Sequence, residues 1–337
     1  MRVIHDRLAP LVSYMEDETV NEIMINNSDN IFVESKGRME RINVTLDDLA
    51  VATVIDSIMS INSKDVAYIM DARLPGLRIA CAMPPVAIHG PMIVIRKHAR
   101  NRFKLDDYVS AGAFNRKPKS DRKIDDDKAK VMEVMASNGG EDLAEFVRWA
   151  VKAKKNVLLV GGTSSGKTTL LSTCLLEVPF DERIITCEDT NEIVLEQPNI
   201  IQLEAFLQPG AAPITIRHLI KLCLRSRPDR IVVGELRGEE AYDFVDAMNT
   251  GHPGSLCTLH ADSAFLGLSR LESLIRMSPS ANNLPLVDMR ADIARAIDYV
   301  IFQSRADGTR GPEQVIALDG VGPDGKYQWR SIFEKFY

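Results

Sequence analysis

The chain has 337 residues, 45% hydrophobic and 26% charged, a soluble-protein composition too long for one ordinary core, so two domains are expected. A formal net charge of -6 argues against wholesale nucleic-acid binding, which usually needs a basic face, and leaves room only for weak binding by a local basic patch. The five cysteines, Cys81, Cys174, Cys187, Cys223 and Cys257, form no C-x-x-C pair and are expected to be free, buried thiols in a reducing compartment.

The opening MRVIHDRLAP lacks the apolar core of a signal peptide, and no apolar run approaches the ~20 residues that span a bilayer. The expectation is a cytoplasmic protein that can still dock on a membrane-bound partner. Residues 1–100 are expected to form a small α+β domain. Asn30 to Ile42 suggests two strands around a turn at Lys36-Gly37. Leu46 to Ile61 carries Leu49, Val51, Ile55, Ile58 and Met59 at helical spacing, with Asp47 and Asp48 in the first turn. Leu77 to Met83 and Met92 to Arg96 are further strands.

Residues 101–140 are expected to be a charged linker carrying some helix, with the tracts NRKPKSDRK and DDD. The basic stretch Arg96 to Lys104 is either solvated linker or a contact for acidic lipid or a partner. Residues 141–337 then alternate strands and helices. An amphipathic helix over Glu141 to Lys154 turns Leu143, Phe146, Val147 and Ala150 inward. Short apolar runs at Asn156–Val160, Arg183–Cys187, Ile200–Glu204, Arg230–Val233 and Ser255–Thr258 are separated by helices expected at 167–177, 213–226, 238–249, 262–276 and 287–297. Such runs indicate a parallel sheet buried on both faces. The tail returns to strands around Pro323-Asp324-Gly325.

Gly161, Gly162, Thr163, Ser164, Ser165, Gly166, Lys167 and Thr168 match G-x-x-x-x-G-K-[ST], between an apolar strand and an apolar helix that continues with Thr169. Glycines let successive N–H groups point at phosphate oxygens, and the helix dipole adds to them. Lys167 supplies charge to the β- and γ-phosphates of ATP, and Thr168 offers a hydroxyl to Mg²⁺. The run DRIVVG followed by Glu235 is an apolar strand ending in an acid that can orient water. RIITC likewise ends in Glu188 and Asp189. His252 and His260 are eight residues apart without cysteine or acid partners, a poor metal site, although His260 at a strand end could sense the γ-phosphate.

Four segments in order, GGTSSGKT, ITCEDTNEI, DRIVVGELRGEEAYD and GHPGSLCTLHADS, resemble the Walker A motif, acidic box, Walker B motif and histidine box of the hexameric traffic ATPases of type II and type IV secretion. The resemblance covers the whole chain. The short N-terminal domain, the IMINNSDNIFVESKGRMERI segment and the missing Cys-rich zinc module favour the conjugative, TrbB-like branch. The fold class implied is α/β: a small α+β N-terminal domain joined by a linker to a RecA-like P-loop ATPase domain with a mainly parallel sheet covered by helices.

The resemblance further implies a cytoplasmic homohexamer at the cytoplasmic face of the inner membrane, using ATP and Mg²⁺ and partnered by inner-membrane secretion or conjugation components. By the same resemblance Glu235 and Glu188 act on the catalytic water or metal. His260 is the better-matched histidine of its box, and Arg78 and Arg96 of the N-terminal strands clamp the nucleotide. Arg225, Arg227 and Arg237 sit at positions typical of such motors. A pilus assembly or retraction motor, a RecA-like DNA-dependent ATPase and a non-catalytic nucleotide switch stand as alternatives.

Overall fold

The computed structural model describes residues 6–61, 68–98, 104–110, 112, 114, 121–207, 212–306 and 309–335. The tract NRKPKSDRK lies mostly, and Arg96–Lys104 partly, outside them. A short helix, α1 (Val12–Glu16), leads into an antiparallel sheet of β1 (Val20–Asn27), β2 (Asn30–Ser35), β3 (Arg38–Ile42), β4 (Ile69–Leu74), β5 (Leu77–Ala82) and β6 (Met92–Lys97), with α2 (Asp48–Ile61) between β3 and β4. The strand order is β3-β2-β1-β6-β5-β4. The β2–β3 turn sits where expected, with Lys36 and Gly37 at φ 52° and 77°; two positive φ angles match the twist of the flanking strands.

Alternation decides what each face of this sheet covers. Ile23, Ile25, Ile79, Cys81, Ile93 and Ile95 pack with Val51, Val54, Ile55 and Ile58 of α2. Their neighbours Met24, Ala80, Ala82 and Val94 face the other way, into the core of the second half of the chain.

That half begins with α3 (Leu105–Ser110), α4 (Asp121–Ala136) and α5 (Gly140–Lys152). Its eight-stranded sheet contains β7 (Val157–Val160), β8 (Ile184–Glu188), β9 (Ile200–Glu204), β10 (Arg230–Val233), β11 (Leu256–Leu259), β12 (Tyr299–Ala306), β13 (Thr309–Val321) and β14 (Tyr327–Glu334). The order is β14-β13-β12-β7-β11-β10-β8-β9. Strands β9 to β12 in that row pair in parallel, and the tail adds β13 and β14 antiparallel. The helices are α6 (Lys167–Leu175), α7 (Ile216–Cys223), α8 (Glu240–Asn249), α9 (Ala264–Ile275) and α10 (Leu286–Ala296).

Leu158, Val160, Ile185, Val233 and Leu259 pack with α7 to α10. Val157, Leu159, Ile184 and Val232 pack on the opposite face with α4 to α6. The central strands are thus buried on both sides, as their unbroken apolar runs suggest. Met132 and Ala136 of α4 belong to this second core, and Glu133 accepts a 2.9 Å hydrogen bond from the Tyr299 hydroxyl. The charged tract expected to link the two halves therefore ends as a helix laid on the larger sheet. All five cysteines are buried with free thiols.

The two sheets meet along β9 and α7. Glu204 N donates to Val86 O at 2.9 Å, and Ala87 bridges Leu203. Arg183, fully buried just before β8, donates through Nη1 to Asn26 Oδ1 at 2.7 Å and Asn199 Oδ1 at 2.5 Å, and through Nε to Ser226 O at 3.0 Å. Arg227 adds an ion pair to Glu34 at 3.0 Å. A buried guanidinium with no carboxylate in direct contact is costly, and burial pushes Arg183 down to about 9. Asn26 of β1 shares its satisfaction with Asn199 and Ser226, and Nη2 stays buried without a partner among the described residues.

Candidate nucleotide site

Strand β7 is wholly buried and delivers the glycine-rich loop at its C-terminal end. The loop curls through Ser164 at φ 61° and Gly166 at φ 90°, and Gly166 is the N-cap of α6. Glycine is obligatory at 161, where a Cβ would lie 2.2 Å from the Gln303 carbonyl oxygen. Thr163, Ser164 and Thr169 face solvent around the curl, whereas Ser165 and Lys167 are buried.

Lys167 Nζ donates to Gly161 O at 3.0 Å and Gly162 O at 2.9 Å and lies 3.3 Å from His260 Nδ1. An ammonium has donors only, so Nδ1 is the acceptor and Nε2 carries the proton. Nε2 then donates to Glu235 Oε1 at 3.0 Å. Glu235 Oε2 takes Arg237 Nη2 at 2.7 Å, and Arg237 Nη1 reaches Asp189 Oδ2 at 3.1 Å. One chain of polar contacts thus crosses the mouth of the loop. Burial lowers the pKa of Lys167, against the opposing pull of Glu235.

Register brings the second acid in. Val233 pairs with Cys187 in the parallel β8–β10 ladder, so Gly234 lies beside Glu188. A Cβ at Gly234 would come 3.0 Å from Glu188 Cγ. Glu188 Oε1 accepts from the Glu192 and Ile193 backbone N–H groups at 3.0 Å each, and Oε2 is buried without a partner among the described residues. Thr168, Glu188, Asp189, Gly234, Glu235 and Arg237 line a cleft of about 120 Å³. An unpartnered carboxylate oxygen in a cleft that a threonine also lines suits hard-cation and water chemistry. Among the described residues no group of three or more His, Cys, Asp or Glu side chains could hold a metal.

Burial raises the pKa of Glu188, and two backbone donors only partly offset it. Because the folded value lies above the unfolded one, the carboxyl's contribution to stability is full below the ordinary value of 4.5 and is lost as pH rises through the raised one. Glu188→Gln, neutral at every pH, is therefore expected to gain stability over the parent as pH rises above the ordinary carboxylate value of 4.5 and through the raised one. Thermal melts across that range check the sign. A gap that narrows with rising pH contradicts it.

Lys167, Thr168, Glu188, Glu235 and His260 thus converge on one cleft. His252 does not join them: its Nδ1 sits 3.0 Å from Ala247 O, at the end of α8. Arg78 and Arg96 lie elsewhere. Arg78 pairs with Asp71, which also takes Arg225 Nη1 at 2.9 Å, and Arg96 pairs with Glu22. Arg225 follows the C-terminus of α7 and precedes β10, so it marks the N-terminal edge of the parallel strands. The glycine-rich loop is at the C-terminal edge. The two N-terminal arginines therefore stand across the sheet from their own chain's cleft. Gln303, which the sequence does not single out, does reach the loop: its Nε2 donates to Ser165 O at 2.8 Å.

The family described as "Type II/IV secretion system protein" matches residues 121–305. The type IV secretion system protein VirB11 of Bartonella quintana is 30% identical over 321 residues, covering 91% of this chain and 90% of that one. The conjugal transfer protein TrbB of Rhizobium radiobacter is 31% identical over 329 residues, covering 95% and 90%. The crystal structure of the VirB11 ATPase from the Brucella suis type IV secretion system, in complex with sulphate, aligns with a TM-score of 0.82 at 31% identity, covering 93% and 94%.

Proposed function

Since this chain belongs to the type II/IV secretion system protein family, and is an ATPase of type IV secretion and conjugation, we propose that it works as a ring whose subunits complete one another's nucleotide sites. Mg²⁺ and the loop amides hold ATP with Lys167 and Thr168. Glu235 and Glu188 place the attacking water. His260 links the lysine at the phosphate end to Glu235, so loss of the γ-phosphate is felt along the polar chain from Lys167 to Asp189. Among the described residues no helix is long and apolar enough to cross a membrane. The ring would attach peripherally at the cytoplasmic face of the inner membrane through other secretion components. These relatives give no support to a pilus motor or a DNA-dependent ATPase.

The observation behind the shared site is the position of Arg78 and Arg96, across the sheet from their own cleft. In a head-to-tail ring that edge is free to meet the next copy's loop. The test mixes two inactive proteins, Lys167→Ala and Arg96→Ala, and follows phosphate release. If arginines act across the interface, random assembly makes one half times one half of the interfaces complete, so about a quarter of parental turnover returns. If each arginine serves its own chain, no mixture contains a complete site and activity stays absent.

A further inference from the structure

The antiparallel hairpin of β12 and β13 sets Arg305 directly opposite Arg310, and both are exposed. Like charges facing each other across a ladder repel, and neither is among the residues paired with a carboxylate in the described structure. Period-two alternation puts Gln303 and Arg305 on one face of β12. That face is the one turned to the glycine-rich loop, because Gln303 Nε2 donates to Ser165 O at 2.8 Å. A Cβ at Gly166 would lie 2.9 Å from Gln303 Nε2 and 3.2 Å from Arg310 Cδ. The Arg310 side chain therefore runs over the residue that caps α6, and its guanidinium begins one bond further on. Ser165 Oγ, on the same stretch of loop, is buried and has no partner among the described residues.

We propose that Arg310, with Arg305 beside it, binds the α- and β-phosphates of the nucleotide in its own subunit, on the opposite flank from Lys167. The amides at the loop and helix start cradle those two phosphates, while the lysine reaches towards the γ end. A bound diphosphate brings negative charge to the two facing arginines and relieves their repulsion. A group acting at this end treats ATP and ADP alike, which separates it from any sensor of the γ-phosphate.

This inference rests on the nucleotide reading of the loop. The experiment titrates full-length protein with Mg-ADP and with a non-hydrolysable Mg-ATP analogue. Arg310→Ala is expected to weaken both by about 10-fold, the effect of losing one charge-assisted hydrogen bond. Arg310→Lys keeps the charge and is expected to stay within about threefold of the parent. The thermal midpoint of each variant without nucleotide confirms that it is folded, and Arg305→Ala, expected to weaken both ligands in the same ratio, stands in if Arg310→Ala is not. Equal affinity in parent and Arg310→Ala overturns the proposal, as does a loss confined to the ATP analogue or a lysine variant as weak as alanine. Lys167→Ala distinguishes the two levels: if it binds nucleotide normally, the reading of the loop fails; if it is impaired while Arg310→Ala is not, only the hairpin inference fails.

Discussion

Lys167→Ala is expected to reduce ATP turnover by roughly 10²- to 10³-fold, the cost of removing one preorganised group that stabilises developing charge. The lysine is 7% exposed, and its ammonium is held by Gly161 O, Gly162 O and His260 Nδ1. An entering triphosphate replaces those neutral acceptors with anionic ones, so the swap favours binding. Alanine forfeits that gain and frees His260 Nδ1, loosening the link to Glu235. Both affinity and turnover therefore fall. Phosphate-release kinetics together with titration of a fluorescent nucleotide measure the two. Parental values for both would remove the basis of the nucleotide assignment.

Glu235→Gln is expected to separate the same two quantities. Glutamine preserves the shape and can still accept from His260 Nε2 or Arg237, so ATP affinity should stay within a few-fold. It has no basic carboxylate to orient and deprotonate water, and turnover should fall by about 10²- to 10⁴-fold. The side chain's two oxygens are engaged by His260 and Arg237 at 3.0 Å and 2.7 Å. Each oxygen keeps a further lone pair with which to accept from a water, and the two contacts tie the carboxylate's orientation to what happens at Lys167 and Asp189. Unchanged turnover in Glu235→Gln would transfer the water-placing role to Glu188.

The phosphate loop and both acidic strands were legible because central parallel strands are continuous apolar runs that end where the chemistry begins. The helix after the loop was expected at 167–177 and spans Lys167–Leu175. Strands β1 and β4 were not legible. β1 carries Glu22 and Asn26, which read as surface residues until their partners appear: Arg96 is far away in sequence, and Arg183 is 157 residues from Asn26. β4 interleaves Asp71 and Arg73 with its apolar positions. Helix α4 was hidden by its charge, since among its described side chains those buried in a core, Met132 and Ala136, sit in its last turns. Gln303 lies 138 residues from the serine it holds, and no local pattern announces a contact made by strand order alone. The positions of Arg78 and Arg96 likewise depend on how one sheet lies against another.

Strand β8 has a guanidinium bonded to the N-terminal sheet just before its first residue and, on its last, the Glu188 carboxylate of the candidate cleft. From Arg183 to Glu188 an extended backbone covers ~16 Å at 3.3 Å per residue. Ladders to β9 and β10 brace it on either side. An extended chain so braced behaves as a connecting rod: it can be pushed or pulled but has no slack to take up. On the proposed nucleotide reading, a shift of Glu188 when the triphosphate breaks would be passed along this strand to Arg183, and by reciprocity a load applied there would alter the grip on nucleotide.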